Sequence, residues 1–426
     1  MNLSKLFKSN KETLTLVSIL STERILGFLI IYYLVRNVSD EYFSYWTQLN
    51  FLPGLLSVIF ILGLSKGILR ILVNNKFSQN LIYLTLASLI LLLLLSCYFF
   101  FSFVHYLDIT KINIFLGGNS NTYLGIKILF LFIIIEGLFE ILGNFLRAKL
   151  SQLYLYFLGI KIIPKIIFPI LLIVFNYSFW ISIYIYLIGN LLTILLLLIF
   201  VFKAIKKKHP NKKTNIIELK NLLIKLISYS FPIFIASFSL PVLHFFLRKY
   251  ITSENGYDNL GIFSIYISFI GILAYFTEAI QSYIFPKLAF IKDNGDTPYK
   301  TKTYILKQFK YTIIISIFFC FMFFLFGSNI LYFLYPRNDW NFMDCFLISV
   351  TALGWTVHSS LQRIYLIFFS DKTIFITIFS FTSFILSMIF LYNNLLTETY
   401  NAILCLLIYF LASSLFIKII LKKKNF

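Results

Sequence analysis

Charged side chains inside long apolar stretches carry the most informative chemistry in this 426-residue sequence. If such a stretch crosses a membrane, a central Arg, Lys or Asp costs about 2.5–3.5 kcal/mol on insertion scales, so it needs a charged partner or a water-filled cavity. A cation there can bind phosphate oxygens through charge-assisted hydrogen bonds, and a carboxylate can bind a cation or a proton. The candidates are Glu23, Arg24, Lys127, Glu136, Glu140, Lys161, Lys165, Glu278 and Arg363.

Glu23 and Arg24 lie near the middle of the first apolar stretch, roughly 15 Å of helix from either end. Adjacent residues on a helix point about 100° apart, so these two side chains cannot pair well with each other. At least one of them should therefore face the interior and meet another group. Arg24 is a candidate either for a functional cavity or for a structural bridge between helices.

Two pairs of charges lie four residues apart on consecutive predicted helices. Glu136 and Glu140 share one helix face, and Lys161 and Lys165 share a face of the next helix, on either side of Pro164. Glu136 and Lys161 should lie at similar depth. The two pairs are equally compatible with a ladder of ion pairs and with a role in a cavity. The ladder would leave Lys165 the freest to meet a ligand.

The remaining buried charges lie nearer the ends of their predicted helices. Arg363 and Lys127 are close enough to an interface for their long side chains to reach it. Glu278 could bind a proton or a cation, or could pair with Arg363. His244 and His358 are each expected to be hydrogen-bonded packing residues rather than proton relays.

The composition identifies the elements that must position these charges. Charged residues make up 13% of the sequence, against about 25% in soluble domains. Apolar residues make up 59%, and the mean hydropathy is +0.87. These values exclude a soluble enzyme, a nucleic-acid-binding protein and a disordered protein. The sequence has no GxxxxGK[ST] or HExxH motif and its four cysteines lack metal-ligand spacing, so no cofactor and no metal are expected.

Hydrophobic stretches of roughly 20 residues predict an all-α polytopic membrane protein with about twelve transmembrane helices and both termini in the cytoplasm. Most of the 37 Lys and Arg residues then lie in inner segments, as the positive-inside rule requires. The outer segments hold only Arg36, Lys111, Arg248, Lys249 and Arg337. The predicted helices are 13–35, 42–65, 80–105, 122–145, 153–175, 179–202, 227–250, 260–285, 305–334, 343–368, 373–392 and 399–420.

The chain divides at its midpoint. Residues 1–202 form a predicted N-terminal lobe of six helices, residues 203–226 a basic cytoplasmic connector, and residues 227–426 a C-terminal lobe of six helices. Both lobes begin on the inner side, which favours a parallel repeat. Pro232 and Pro241 lie in the first helix after the connector, and each interior proline removes a backbone hydrogen bond. They are the best candidates for a hinge.

Several motifs resemble a known family. Residues 21–72, "STERILGFLIIYYLVRNVSDEYFSYWTQLNFLPGLLSVIFILGLSKGILRIL", look like the opening of polysaccharide exporters, with an Arg in the first helix. "FPIFIASFSLP" at 231–241 and "LGIFSIYISF" at 260–269 look like the start of that family's second half, and "YIFPKLAF" at 283–290 resembles the end of its eighth helix. The sequence thus resembles the O-antigen flippases (Wzx type) of the multidrug/oligosaccharidyl-lipid/polysaccharide (MOP) exporter superfamily.

This resemblance implies two six-helix lobes around a central cavity, in the bacterial inner membrane. It also implies a flippase that moves a polyprenyl-diphosphate-linked oligosaccharide, an O-antigen or capsule repeat unit, from the inner to the outer leaflet by alternating access. An O-antigen polymerase would be a further partner. The cations expected to bind this substrate are Arg24, Lys161, Lys165 and Arg363. The carboxylates expected to couple an ion or form structural pairs are Glu23, Glu136, Glu140 and Glu278.

Two other functions are compatible with the sequence. A multidrug or toxic-compound extruder of the same fold would need an acidic or neutral cavity. A membrane glycosyltransferase or O-antigen polymerase could use Asp40 and Glu41 as metal ligands in the first outer loop. The short predicted outer loops argue against such an enzyme, and the protein is expected not to be one.

Overall fold

The structure is a computed structural model in which the described residues are almost entirely helical and contain no β-strand. It describes residues 15, 18–19, 22–23, 25–27, 29–65, 67–68, 78–105, 122–149, 151–173, 178–208, 216–293, 298–336, 339–368, 373–392 and 398–423. The prediction of an all-α protein is therefore confirmed for this part of the chain.

Ten helices follow one another in the described ranges, after a helical segment that includes Glu23 and residues 29–37. They are α1 (Asp40–Phe60), α2 (Gln79–His105), α3 (Thr122–Lys149), α4 (Ser151–Ile173), α5 (Phe179–Lys208), α6 (Ile216–Asp293), α7 (Pro298–Leu334), α8 (Phe342–Phe368), α9 (Thr373–Tyr392) and α10 (Glu398–Lys423). Apart from α6, each helix has at least one end within a few residues of the bound predicted from hydropathy.

Helix α6 differs from the prediction. The sequence predicted a connector up to residue 226 and two separate spans, at 227–250 and 260–285, but α6 is continuous over 78 residues. The connection expected near residues 251–259 contains one glycine, Gly256, and no proline, so nothing there interrupts the helical hydrogen bonds. The helix is far longer than the roughly 20 residues that one membrane crossing needs.

Four segments of the described residues are long and apolar enough to cross a membrane: Gln79–Val104, Phe179–Lys203, Phe309–Leu334 and Thr399–Ile419. Only 22% of the most apolar part of Phe309–Leu334 is buried inside the protein, compared with 50% in Thr399–Ile419. Exposed apolar surface of this extent requires lipid as its solvent. The chain is therefore a multi-pass membrane protein, and the total of about twelve crossings with cytoplasmic termini stays a prediction.

The chain forms two compact units, Met1–Phe238 (unit 1) and Ser239–Phe426 (unit 2). Their boundary lies within α6, between Pro232 and Pro241. The predicted lobes, 1–202 and 227–426 with the connector 203–226, stay a prediction. The two prolines proposed as a hinge thus stand on either side of the place where one unit ends and the other begins.

Helix α3 is the centre of unit 1, where it packs against α1, α2, α4 and α5. Small residues allow these close contacts, as is common between membrane helices. A Cβ atom on Gly137 would lie 2.6 Å from Leu93 of α2, so α2 and α3 approach closely at this point. On the other side, the Tyr45 hydroxyl of α1 donates to the carbonyl of Gly125 at 3.0 Å. Because α3 is fixed from several sides, its charged residues have defined positions.

The end of α1 brings a polar residue to the same region. After Phe60 the backbone turns through Leu62 and Gly63, which have φ angles of 53° and 62°. A Cβ on Gly63 would lie 2.7 Å from the Cβ of Phe234, so this left-handed turn and its close contact both favour glycine. The chain then returns to a helical conformation at Ser65, which is fully buried.

In unit 2, α10 packs against α8 and α9, and α7 packs against α8. The first turn of α8 is capped reciprocally. The backbone N–H of Asn341 donates to Asp344 Oδ2 at 2.7 Å, and that of Asp344 donates to Asn341 Oδ1 at 3.0 Å. Asp344 Oδ1 also accepts hydrogen bonds from the hydroxyls of Tyr266 on α6 and Tyr400 on α10. One buried carboxylate thus joins three helices.

Replacing this carboxylate should destabilise unit 2. In Asp344→Ala the capping bond from the Asn341 backbone N–H is lost, and the Tyr266 hydroxyl, which is buried, is left without this acceptor. A buried polar group without a partner costs about 1–3 kcal/mol, so the midpoint of thermal unfolding in detergent should fall by several degrees. Asp339→Ala, at a nearby exposed carboxylate, is the matched control and should leave the midpoint unchanged. Equal midpoints for both variants would contradict the role assigned to Asp344.

Candidate functional site

The structure describes the side chains of five of the predicted charged site residues, all in unit 1: Glu23, Glu136, Glu140, Lys161 and Lys165. Pro241 is also described, on α6 in unit 2. Arg24 lies outside the described residues. The side chains of Pro232, Glu278 and Arg363 lie outside the described part as well, although their backbones belong to α6 and α8. The site is therefore built from the unit 1 residues.

Glu136 on α3 and Lys161 on α4 face each other. The Lys161 Nζ atom is 3.8 Å from Glu136 Oε2, which is an ion pair at a distance longer than a hydrogen bond. The same ammonium lies 4.9 Å from the centre of the Phe139 ring, so a cation–π contact adds to its stabilisation. The relative exposures of the two side chains are 22% for Lys161 and 38% for Glu136. The predicted ion pair between Glu136 and Lys161 is therefore confirmed, and its two charged groups are only loosely in contact.

Lys165 was predicted to be the freest of the cations, and this was wrong. Its ammonium forms a close ion pair and hydrogen bond with Glu23 Oε1 of the N-terminal helical segment. One helical turn separates Lys165 from Lys161 on α4, so the two lysines are held by carboxylates from two different elements. The expectation that at least one of Glu23 and Arg24 faces the interior and meets another group is confirmed for Glu23.

Glu140 does not form an ion pair with a lysine among the residues that the structure describes. Its Oε1 atom instead accepts a hydrogen bond from the buried Ser65 hydroxyl at 2.7 Å. The turn after α1 positions Ser65 for this contact. Glu136 and Glu140 are thus one turn apart on α3 but have different partners, a lysine and a serine.

A cavity of about 320 Å³ adjoins these groups within unit 1. Its volume is at the lower end of the ~300–1,000 Å³ range of ligand pockets. Helix α1 contributes backbone and a hydroxyl, α3 contributes both carboxylates, and α4 contributes the ammonium and a phenol. The lining residues are Gly54, Ser57, Glu136, Phe139, Glu140, Gly143, Asn144, Tyr154, Phe157, Leu158 and Lys161.

Two glycines shape the wall of this cavity. Apart from the adjacent residues and backbone of α1 itself, no atom of the described residues lies within 4 Å of the position that a Cβ on Gly54 would occupy, so this part of α1 leaves open space. A Cβ on Gly143 would lie 3.2 Å from the Phe157 ring, so α3 and α4 are close together there. The cavity therefore combines an aromatic wall with hydrogen-bonding and charged groups, as binding sites for small polar molecules do.

The charges at the cavity allow two kinds of binding. Glu136 and Glu140 can attract a cation or a proton, whereas Lys161 can bind an anion if Glu136 releases it. Among the residues that the structure describes, no group of three or more His, Cys, Asp or Glu could hold a metal ion.

Sequence reasoning missed several groups that the structure brings together. Phe139 could have been found, because it is three residues from Glu136 on the same helix face. Asp344 could have been found from the spacing Asn-x-x-Asp before an apolar stretch, which is similar to a capping box. Ser65 had no comparable signal, since its contact with Glu140 depends on the turn after α1.

Arg248 was assigned to an outer segment, but the structure buries it. Its side chain is 6% exposed on α6 in unit 2, with the guanidinium 6.0 Å from the centre of the Phe263 ring. His244, one turn earlier, is also buried. Since α6 continues through the region predicted as a loop, Arg248 is a helical residue in the interior of unit 2 and not at an exposed end.

No protein-family model matches the sequence. No curated protein matches it either.

Solved structures with a similar fold are membrane transporters. The MATE multidrug transporter DinF-BH, solved in complex with a bound compound, superposes with a TM-score of 0.72 at 13% identity, over 97% of this chain and 95% of that one. A MOP superfamily transporter from Pyrococcus furiosus, whose reverse polarity of binding pocket suggests a different function, gives a TM-score of 0.67 at 13% identity over the same shares of the two chains.

Two further similar structures are each of a multidrug resistance MATE family transporter of the MOP superfamily. One, in an outward-facing conformation, superposes with a TM-score of 0.64 at 12% identity, over 98% of this chain and 96% of that one. The other, in an inward-facing conformation, superposes with a TM-score of 0.58 at 12% identity, over 94% of this chain and 98% of that one. At these identities the likeness establishes the fold alone.

The two ion pairs should differ in their contribution to stability. Glu23→Gln leaves the Lys165 ammonium without its close partner, so it should lower the free energy of unfolding by about 1–3 kcal/mol. Glu136→Gln should cost less than half as much, because Lys161 keeps the Phe139 ring and the polar cavity. Thermal unfolding in detergent measures both, with Glu218→Gln, at an exposed position on α6, as the control that changes nothing. Equal losses for Glu23→Gln and Glu136→Gln would refute this ranking.

Proposed function

We propose that this protein is a flippase of the bacterial inner membrane that moves polyprenyl-diphosphate-linked oligosaccharide from the inner to the outer leaflet. The observation that carries the proposal is the position of Lys161, a loosely paired cation in the wall of a polar cavity within an apolar protein. The transporter-like fold and the resemblance of the sequence to O-antigen flippases support it. The cargo would be a repeat unit of an O-antigen or a capsule.

The chemistry of the cargo explains why such a site is needed. A diphosphate with its attached sugars cannot cross hydrocarbon unaided, because its charges and hydroxyls would lose their water. A cation in a wet cavity replaces part of that hydration with charge-assisted hydrogen bonds to phosphate oxygens. Ser57, Asn144 and Tyr154 add hydrogen-bonding groups suited to sugar hydroxyls.

Not all of the predicted cations suit this role equally. Lys161 is the best candidate, and Arg24 and Arg363 stay predicted substrate-binding residues. Lys165 is held tightly by Glu23, which favours a structural role for this lysine within unit 1. Of the carboxylates, Glu136, Glu140 and Glu278 stay the candidates for coupling an ion.

Alternating access is the mechanism that the fold favours, since similar structures of MATE family transporters are in inward-facing and outward-facing conformations. In this chain we place the hinge at Pro232 and Pro241, which flank the boundary between the units. Each proline removes a helical hydrogen bond, so bending of α6 costs least at these positions. An O-antigen polymerase would then receive the repeat unit on the outer side.

A multidrug extruder is the second candidate, and one observation favours it. In the described part of the chain the cavity is lined by two carboxylates, Glu136 and Glu140, and one ammonium, Lys161, which also suits a cationic compound. The similar structures include a multidrug transporter with a bound compound and a transporter with reverse polarity of its binding pocket. Transporters of this fold therefore differ in pocket polarity, and the fold alone does not choose the cargo. A membrane glycosyltransferase using Asp40 and Glu41 is disfavoured, because the fold is that of transporters.

Movement of lipid-linked sugar between the leaflets of vesicles tests the proposal. Purified protein is reconstituted with a labelled polyprenyl-diphosphate oligosaccharide, and a membrane-impermeant glycosidase reports which leaflet holds the sugar. The protein should accelerate movement between leaflets. Lys161→Met should slow it roughly ten- to a hundredfold, the loss of about 1.5–3 kcal/mol expected for one hydrogen bond to a charged group. Lys127→Met, an exposed lysine of α3 that does not line the cavity, is the matched control.

The same vesicles distinguish the second candidate. An extruder would move a lipophilic cationic dye instead, and Glu136→Gln or Glu140→Gln would slow that movement while Lys161→Met would not. Dye transport without any movement of the lipid-linked sugar would refute the flippase proposal.

A further inference from the structure

The ion pair at the cavity has an unusual combination of properties. Its partners are 3.8 Å apart, both are partly exposed, and both line the same space of about 320 Å³. An anion that enters this space and binds Lys161 must compete with Glu136 for the same ammonium. If Glu136 stays ionised, the anion also meets a negative charge close to the one cation that attracts it.

Proton binding removes this conflict. A protonated Glu136 no longer attracts Lys161, no longer repels the anion, and gains an O–H group that can donate a hydrogen bond to it. Lys161 keeps its contact with the Phe139 ring, which holds the ammonium at the cavity after its carboxylate is neutralised. One site can therefore hold an ionised pair or a protonated acid together with an anion.

From this geometry we infer that Glu136 and Lys161 form a proton-gated anion site, at which a proton from solution and a phosphate-bearing group bind together. The inference deepens the proposed function and rests on it for the identity of the anion. By linkage, each ligand raises the affinity of the site for the other by the same factor. Anion affinity should therefore rise as the pH falls, and anion binding should take up a proton.

The groups around the cavity allow the bound proton to be assigned to the Glu136 carboxylate. Helix α3 contributes Glu140, which accepts a hydrogen bond from Ser65 rather than pairing with a lysine in the contacts described. Helix α4 contributes Lys161 itself and Tyr154, and α5 contributes Tyr186, which lies close enough to interact with both charges of the pair. In the lining, α1 contributes Gly54 and Ser57, neither of which titrates.

Among the residues that the structure describes, the second ion pair of unit 1 is a further charged neighbour. Glu23 and Lys165 lie one turn along α4 and neutralise each other at close range. Glu23 is also near enough to Tyr186 to interact with it electrostatically. Because Glu23 and Lys165 are in direct contact and their charges cancel, the pair contributes only a weak electrostatic field at Glu136. The pair on the cavity is thus the one whose protonation changes what the cavity can hold.

Binding measured against pH tests the inference. The probe is a diphosphate diester carrying a short isoprenyl chain and one hexose. Its phosphate groups keep their charge between about pH 5.5 and about pH 8, so only the protein changes protonation over this range. Purified full-length protein in detergent should bind this probe roughly tenfold more tightly at the lower pH, within the usual range of coupling. Isothermal titration in buffers of different ionisation heat should show proton uptake.

Variants separate the residues. Glu136→Gln mimics the protonated acid, so it should bind the probe tightly at both pH values and take up no proton. Lys161→Met should lose at least tenfold in affinity at low pH. Glu140→Gln, one turn away on the same cavity, tests the alternative carboxylate. Glu218→Gln, at an exposed position on α6, is the control and should keep the affinity and the pH dependence of the wild type. Thermal unfolding of each variant confirms that it is folded.

The outcomes distinguish this inference from the function on which it rests. If the wild type binds the probe with an affinity that neither pH nor Glu136→Gln changes, the proton gate is refuted while an anion-binding flippase stands. If Glu140→Gln abolishes the pH dependence instead, the assignment to Glu136 is wrong. If pH-dependent binding is found but vesicles show no movement of lipid-linked sugar, the proposed function fails and the gated site remains.

Discussion

Charge inside an apolar protein must be compensated, and this constraint organises unit 1. The cost of an unpaired Lys in the centre of a membrane, about 2.5–3.5 kcal/mol, is large compared with most single contacts. Lys165 meets the constraint through Glu23, and Lys161 meets it through Glu136 and the Phe139 ring. Because these partners come from the N-terminal helical segment and α3, the two lysines of α4 join three elements of the unit. The packing of α3 against its neighbours then fixes where the compensation takes place.

The two ion pairs satisfy the same constraint differently, and this difference leads to function. In a close ion pair, the two charges stabilise each other strongly, so neither is readily available to bind a ligand. A loose pair beside a polar cavity is stable enough to fold and open enough to exchange partners, since water and hydrogen-bonding groups share the task of solvating both charges. The proposed cargo and the proposed proton gate both follow from the second case. In unit 2, the charge of the Asp344 carboxylate is compensated by two tyrosine hydroxyls and the backbone N–H of Asn341.

The sequence predicted what depends on local pattern. Hydropathy located most helices because a span needs a fixed length of apolar residues, and depth along adjacent helices predicted the pair of Glu136 with Lys161. It did not predict the partner of Lys165, because Glu23 is 142 residues away and its height relative to α4 depends on tertiary packing. The continuous α6 was missed because polar residues suggested a loop where no residue breaks the helix. The cavity itself arises from glycines and aromatic rings on three helices, which no single segment reveals.

The most direct test of this account compares two doubly neutralised variants in the same flipping assay. Glu23→Gln with Lys165→Met removes the close pair, and Glu136→Gln with Lys161→Met removes the pair at the cavity, so neither leaves an isolated charge. Both proteins should fold, since replacing a whole buried pair by neutral groups is often nearly neutral. The account predicts that the first variant transports lipid-linked oligosaccharide close to the wild-type rate and that the second has lost transport. Equal transport by the two variants, or loss only in the first, would contradict it.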